Sequence, residues 1–115
     1  MDDINYIANN ISELAVLMAL AEEASELSKA ATKYARAKGL LDNPTPISVA
    51  QAENDLIEEY NDLLICVGVL NKMSSLTIGV DIDLRMRKCR RWAERIKNCK
   101  TKLEKNHGRG KEKEA

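Results

Sequence analysis

Carboxylates within the apolar stripe of a helix are the feature that most limits how this chain can fold. Residues 11–38 contain no Gly or Pro and are rich in Ala, Leu, Glu and Lys, which predicts a long helix. At about 100° per residue, one side of it is apolar. The stripe consists of Val16, Ala19, Leu20, Leu27, Ala30 and Tyr34. Glu23 and Glu26 fall within this stripe. Because an unpaired carboxylate taken out of water costs several kcal/mol, both must reach solvent or meet a counter-charge.

A second helical run, over residues 49–73, repeats this arrangement. Glu59 and Asp62 lie among its apolar positions, and Asp55 falls on the same face. If the two helices pack antiparallel, the acids of both meet at one place. Two carboxylates about 5 Å apart repel by roughly 3 kcal/mol at an effective dielectric constant near 20, and a divalent cation removes that penalty. An all-oxygen site suits Mg²⁺ or Mn²⁺. The predicted metal ligands are Glu23, Glu26, Glu59 and Asp62.

The competing interpretation of these acids is an ordinary charged helix surface, with Lys29 and Lys33 as local partners. Ion pairs at helical spacing are common and individually weak, so one such pair means little. Two acidic pairs on separate helices, both within apolar stripes, favour the metal site. Other sites are disfavoured, since the glycines form no phosphate-binding loop and the single histidine, His107, is too little for a zinc or di-iron centre.

Composition and the positions of Pro and Gly predict an all-α protein. The 115 residues suffice for one domain, the chain has no Phe, and two Pro and five Gly lie mostly outside the periodic runs. The predicted fold is a compact bundle of four main helices: a short N-terminal one, the long acidic one, the second acidic one and a basic C-terminal one. The short helix covers residues 3–10. We place the helical domain at 1–105 and a disordered charged tail at 106–115.

Several residues are candidates for ending or starting these helices. Gly39 suits the left-handed position after the long helix. The candidate N-caps are Asn10 together with Glu13, Ser48 together with Gln51, and Asp81 or Asp83. Whether the chain bends near Asn10 or runs straight through is open from the sequence.

Charge and cysteine usage limit the partners and the compartment. The formal net charge is zero, which argues against nucleic acid, although acids dominate up to Asp62 and bases after Arg85. Three cysteines without a Cys-x-x-Cys pair indicate no disulfide framework, which favours the cytoplasm. The acidic N-terminus does not resemble a signal peptide, and no stretch of about 20 apolar residues predicts a membrane span.

The C-terminal helix has a basic side. Its cations and a tryptophan recur at three- and four-residue spacing: Arg85, Lys88, Arg91, Trp92 and Arg95. The simplest interpretation is a solvated basic face. Beside a metal site, the same strip would supply the counter-charge that a triphosphate needs.

The residues around the two acidic pairs resemble the MazG-like, all-α nucleoside triphosphate pyrophosphohydrolases. The similarity covers about residues 12–97 and consists of Glu22-Glu23-x-x-Glu26, Glu59-x-x-Asp62 and Lys88-x-x-Arg91-Trp92-x-x-Arg95. Two positions depart from the family pattern. Asn61 stands where relatives often carry a small or apolar residue, and Tyr60 is bulkier than usual.

The resemblance implies a Mg²⁺-dependent enzyme that splits the α–β bond of a (deoxy)nucleoside triphosphate into the monophosphate and pyrophosphate. By this analogy Glu23, Glu26, Glu59 and Asp62 hold the metal. Glu22 is a further ligand or positions the attacking water, so the implied catalytic residues are Glu22, Glu23 and Glu26. The implied phosphate contacts are Lys29, Lys88, Arg91 and Arg95.

The resemblance also bears on the oligomeric state, and a non-catalytic function is the alternative to it. Family members form dimers or tetramers of helical bundles, so the resemblance implies a homodimer or homotetramer. The rival from another class is a non-catalytic helical interaction or regulatory module that kept the fold. Such a module would act on no nucleotide, and its stability would be indifferent to Mg²⁺.

Overall fold

Four helices make up the part of the chain that the computed structural model describes, residues 2–74 and 77–114, with side chains up to His107. The helices are α1 (Asp3–Asn10), α2 (Glu13–Ala37), α3 (Val49–Met73) and α4 (Ile82–Glu114). No strand occurs within these residues, so the predicted all-α class is confirmed. The chain divides into two units, Met1–Ile78 and Gly79–Ala115. A single domain over residues 1–105 stays a prediction.

Side-chain caps start all four helices. In each case a side-chain oxygen accepts a hydrogen bond from the backbone N–H three residues later, at 2.8 to 3.1 Å. The capping residues are Asp2, Ser12, Ser48 and Asp81. Ser48 was predicted, and Asp81 was one of two predicted candidates for the cap of α4. The prediction for Asn10 is wrong, because its side-chain amide donates to the carbonyl of Tyr6 at 2.7 Å and Ser12 caps α2 instead.

The ends of α2 are sharply defined. At its start, the axes of α1 and α2 are bent by 119° across the break between them, and Ile11 in that break is extended. At its end, Gly39 has a φ of 72°. The N–H of Leu40 reaches back to the carbonyl of Ala35 at 2.9 Å. Because a positive φ costs glycine little, the predicted C-terminal signal is confirmed.

The sequence predicted no membrane-spanning helix. No single helix in the described part of the chain has the length and apolar character needed to cross a membrane. Only α1 and α2 taken together, across their bend, meet that requirement by length and composition.

In the first unit, α2 and α3 pack antiparallel. The Ser74 hydroxyl just after α3 donates to the carboxylate of Glu13, the first residue of α2, at 3.3 Å. Val16, Val69 and Leu70 form the buried core near that end, and α1 packs against it. Further along the helix pair, two small residues are buried, Ala30 in α2 and Ala52 in α3. Glu23 and Glu59 fall between these two apolar regions.

The Asn71 side chain holds the chain after α3 at Ile78. The Asn71 amide donates to the carbonyl of Ile78 and its oxygen accepts from the N–H of Ile78, both at 2.7 Å. This pair of hydrogen bonds satisfies the backbone of Ile78 where no helix or strand is available to do so.

The second unit contains α4. This helix extends to Glu114 and therefore includes residues 106–114, which the sequence predicted to be a disordered tail. A helix that is already nucleated propagates cheaply, and single glycines cost about 1 kcal/mol each. The glycines at positions 108 and 110 are thus insufficient to end it.

Candidate metal centre

Three of the four predicted ligands meet between α2 and α3. Glu23 of α2 and both Glu59 and Asp62 of α3 each offer a carboxylate oxygen, and these oxygens lie within 4.8 Å of one another. Glu59 and Asp62 share one side of α3 because they are three residues apart. The antiparallel packing then places Glu23 opposite them. All three side chains are half-buried. We call these three residues the acidic cluster.

The acidic cluster is electrostatically strained without a counter-charge. The pKa of Glu59 is raised above its ordinary value of 4.5, first by partial removal of water and then by the charges of Asp62 and Glu23. Glu23 is also close enough to share a hydrogen bond with Glu59, which requires a proton on one of the two carboxyl groups. The charge of Glu26 contributes to the same shift. A proton and a divalent cation are therefore alternative ways to relieve this repulsion.

Cys66 borders the acidic cluster one turn beyond Asp62. Burial raises the pKa of the Cys66 thiol, and the charges of Glu23 and Asp62 raise it further. Without a metal the protonated thiol is therefore favoured, whereas binding to a metal requires the thiolate. The donor atoms that lie within 4.8 Å of one another are all carboxylate oxygens.

Glu26 and Glu22 lie at the edge of this centre. The Glu26 carboxylate is exposed and forms an ion pair with Lys29, with Oε1 and Nζ 3.3 Å apart. Such exposed ion pairs contribute about 0–1 kcal/mol to the free energy of unfolding, so little is lost when Glu26 leaves Lys29 for another partner. Glu22 is also exposed. The structure brings neither residue into the acidic cluster, and their metal or catalytic roles stay predictions.

A shallow cleft adjoins the acidic cluster and shares Glu59 with it. Its walls carry cations as well as carboxylates. The lining residues are Glu26, Lys29, Ala30, Lys33, Asp55 and Glu59. Because the Ala30 side chain is small, the cleft lies between the longer side chains around it. Lys29, predicted as a phosphate contact, is thus placed in a cleft next to the candidate metal ligands.

Two charged residues of the cleft, Lys33 and Asp55, were not predicted as site residues. Lys33 is one turn beyond Lys29 in α2, and the sequence suggested it only as an ion-pair partner of the acids. Asp55 was recognised on the acidic face of α3 without a role. Its carboxylate accepts a hydrogen bond from Gln51 at 2.7 Å, which fixes its orientation. The four-residue spacing of Lys29 and Lys33 was the signal that could have identified a cationic wall.

The remaining predicted phosphate contacts belong to the second unit. Lys88, Arg91 and Arg95 are exposed on α4. At about 100° per residue they share one side of this helix. Their contact with a phosphate stays a prediction.

No family model, curated protein or solved structure matches this chain. The resemblance to the MazG-like pyrophosphohydrolases therefore rests on the acidic pairs and the basic strip of the sequence. The observed geometry defines the class: an all-α protein in which two antiparallel helices bring carboxylates together.

Proposed function

We propose that the protein is a Mg²⁺-dependent nucleoside triphosphate pyrophosphohydrolase, cleaving the α–β phosphoanhydride to give the nucleoside monophosphate and pyrophosphate. The observation that supports this most is the approach of the Glu23, Glu59 and Asp62 carboxylate oxygens to within 4.8 Å on facing helices. A charged helix surface would not require these acids to face one another across a helix pair.

The donor set fits magnesium by its chemistry. Mg²⁺ prefers oxygen ligands and usually keeps several positions for water and substrate phosphates, with only one or two carboxylates from the protein. Glu23, Glu59 and Asp62 offer three carboxylates, of which one or two would suffice to hold the ion. When bound, the ion would neutralise phosphate charge and activate a water molecule.

The residues of the cleft supply the other functions that the reaction requires. Lys29 and Lys33 line the cleft next to Glu59, where their ammonium groups would bind phosphate oxygens as point charges. Glu22 and Glu26 are exposed carboxylates on the same helix. Either would accept a proton from the attacking water, as general bases do. The basic strip of α4, with Lys88, Arg91 and Arg95, is proposed to complete the phosphate contacts.

We further propose that the protein is a homodimer or homotetramer and predict this from an exposed apolar face of α3. Ile57, Tyr60 and Leu64 recur at three- and four-residue spacing and are 53%, 52% and 44% exposed. A helix that is apolar on more than one side is usually covered on more than one side. Analytical ultracentrifugation should show a dimer or larger species at micromolar concentration, and Leu64→Glu should shift it towards monomer. A monomer mass for the wild type across the concentration range would contradict the prediction.

The decisive experiment is a panel of ribo- and deoxyribonucleoside triphosphates with Mg²⁺, in which pyrophosphate and orthophosphate are measured separately. The proposal predicts pyrophosphate and monophosphate in equal amounts for at least one substrate. Release of orthophosphate first would indicate a phosphatase. A folded, Mg²⁺-loaded protein that acts on none of them would support the non-catalytic interaction module.

A further inference from the structure

A narrow apolar seam runs along α4. It consists of Cys89, Trp92, Ile96, Cys99 and Leu103, which alternate three- and four-residue spacing as the a and d positions of a heptad repeat do. In the part of the second unit with described side chains, up to His107, all five residues of the seam are exposed. Trp92 and Leu103 are 65% and 68% exposed. Helices in water owe most of their stability to packing of their apolar side, so the seam is suited to a partner.

The flanks of the seam are cationic. In the same heptad, the g positions are Lys88, Arg95 and Lys102, and the e position in the C-terminal half is Lys100. Arg95 and Lys100 form a shallow groove together with the seam residues from Trp92 to Leu103. No acid occupies an e or g position between residues 88 and 102. Two copies of α4 pairing along this seam would place cations against cations, which disfavours self-association in either direction.

The width of the seam indicates whether its partner is another helix or a lipid surface. Charged residues begin directly beside the a and d positions, and a stripe of this kind is the narrow contact of one helix with another. Interfacial lipid-binding helices bury a broader apolar face. The charge distribution agrees: residues 1–78 contain 12 acidic and 5 basic residues, and residues 79–115 contain 6 acidic and 13 basic ones. An extended anionic surface would therefore repel the first unit while attracting the second.

We propose that α4 docks an acidic amphipathic helix of a partner protein. The apolar side of that helix packs on the seam over residues 89–103, and its Glu or Asp flanks lie opposite Arg95, Lys100 and Lys102. Charge complementarity identifies the occupant, because a seam with cations on both flanks is matched by a helix with acids on both flanks. This role goes beyond the proposed hydrolysis: it uses none of the acidic residues of the first unit, although Lys88 and Arg95 on the flank of the seam are also among the proposed phosphate contacts.

Trp92 provides the measurement, because it is the single tryptophan of the chain. The full-length protein, kept reduced, is titrated with a synthetic helical peptide that has Leu and Ile at its a and d positions and Glu at e and g. Its matched control has the same a and d residues with Lys at e and g. The acidic peptide should shift Trp92 emission to shorter wavelength and protect it from quenching. The basic peptide should do neither. Raising the salt concentration should weaken the effect.

Variants of α4 test the contact itself. Ile96→Asp should abolish the emission shift, and Lys100→Glu with Lys102→Glu should weaken the acidic peptide at least about tenfold. Lys97→Glu makes the same type of charge change away from the seam and should have a smaller effect. Glu and Lys have similar helix propensities, so far-UV circular dichroism should show unchanged helicity in the charge variants.

Three results would overturn the proposal. One is an equal response to the acidic and basic peptides, or to neither. A second is a shift with vesicles containing an anionic phospholipid but not with the acidic peptide, which would identify a lipid-binding helix. The third is a shift with increasing protein concentration alone, which would show that a second copy covers the seam.

Discussion

Asp62→Asn and Glu59→Gln are each expected to reduce Mg²⁺-dependent pyrophosphate release at least about 100-fold. Loss of a residue that merely supports a metal ligand already costs about 10- to 100-fold, so loss of the ligand should cost more. The amide keeps the size of the side chain and removes the charge. Glu58→Gln is the matched control, because Glu58 is exposed beside Glu59 on α3 but about 100° around the helix.

The pattern of kinetic constants distinguishes a metal ligand from a phosphate contact. The two amide variants should lower kcat with little change in far-UV circular dichroism, since the substitutions relieve the repulsion within the acidic cluster. Lys29→Ala and Arg91→Ala should mainly weaken nucleotide binding and raise KM. If Glu58→Gln lowers the rate as much as Glu59→Gln, or Asp62→Asn retains it, the acidic cluster is not the catalytic centre.

The meeting of Glu59 and Asp62 with Glu23 could be predicted because it depends on helical periodicity. Periodicity fixes the direction of each side chain, and acids within apolar stripes have to face a neighbouring helix. The sequence did not predict that Glu26 would remain outside the acidic cluster. A helical wheel gives an angle but no position along the partner helix, and Glu26 is further along α2, where Lys29 pairs with it at 3.3 Å. The same limitation hid the approach of Lys33 to this cleft.

Helix boundaries depended on competition between neighbouring polar side chains. Asn10 and Ser12 are both good N-caps by residue type. Asn10 instead bonds back to the carbonyl of Tyr6 within α1, so the break falls at Ile11 and the 119° bend follows. Ser48 had no such competitor immediately before the helix, and the start of α3 was predicted correctly.

The second large effect is expected in thermal stability. Mg²⁺ at 100 times its dissociation constant should stabilise a fold that alone binds it by about 2.7 kcal/mol. For a chain of this size that corresponds to a rise in Tm of roughly 10 °C. The reason is the acidic cluster, whose mutual repulsion raises the pKa of Glu59 when no cation is present. Glu59→Gln should largely remove the Mg²⁺-dependent rise, and Glu58→Gln should retain it.

The pH dependence of this stability should change sign with the metal. Without divalent cations, the folded protein holds a proton on Glu59 more tightly than the unfolded chain does, because its pKa is raised above 4.5. The contribution of Glu59 to the free energy of unfolding is therefore greatest below 4.5 and falls as the pH rises through the raised value. With saturating Mg²⁺, the ionised carboxylate is the bound form, so the Mg²⁺-dependent part of the stability should instead increase with pH over the same window. Calorimetry at several pH values, in EDTA and in Mg²⁺, measures both slopes, and Glu59→Gln should flatten them. If Mg²⁺ leaves the wild-type Tm unchanged at every pH, the acidic cluster does not bind the metal and is an ordinary charged helix surface. The proposed metal-dependent activity would then have no physical basis.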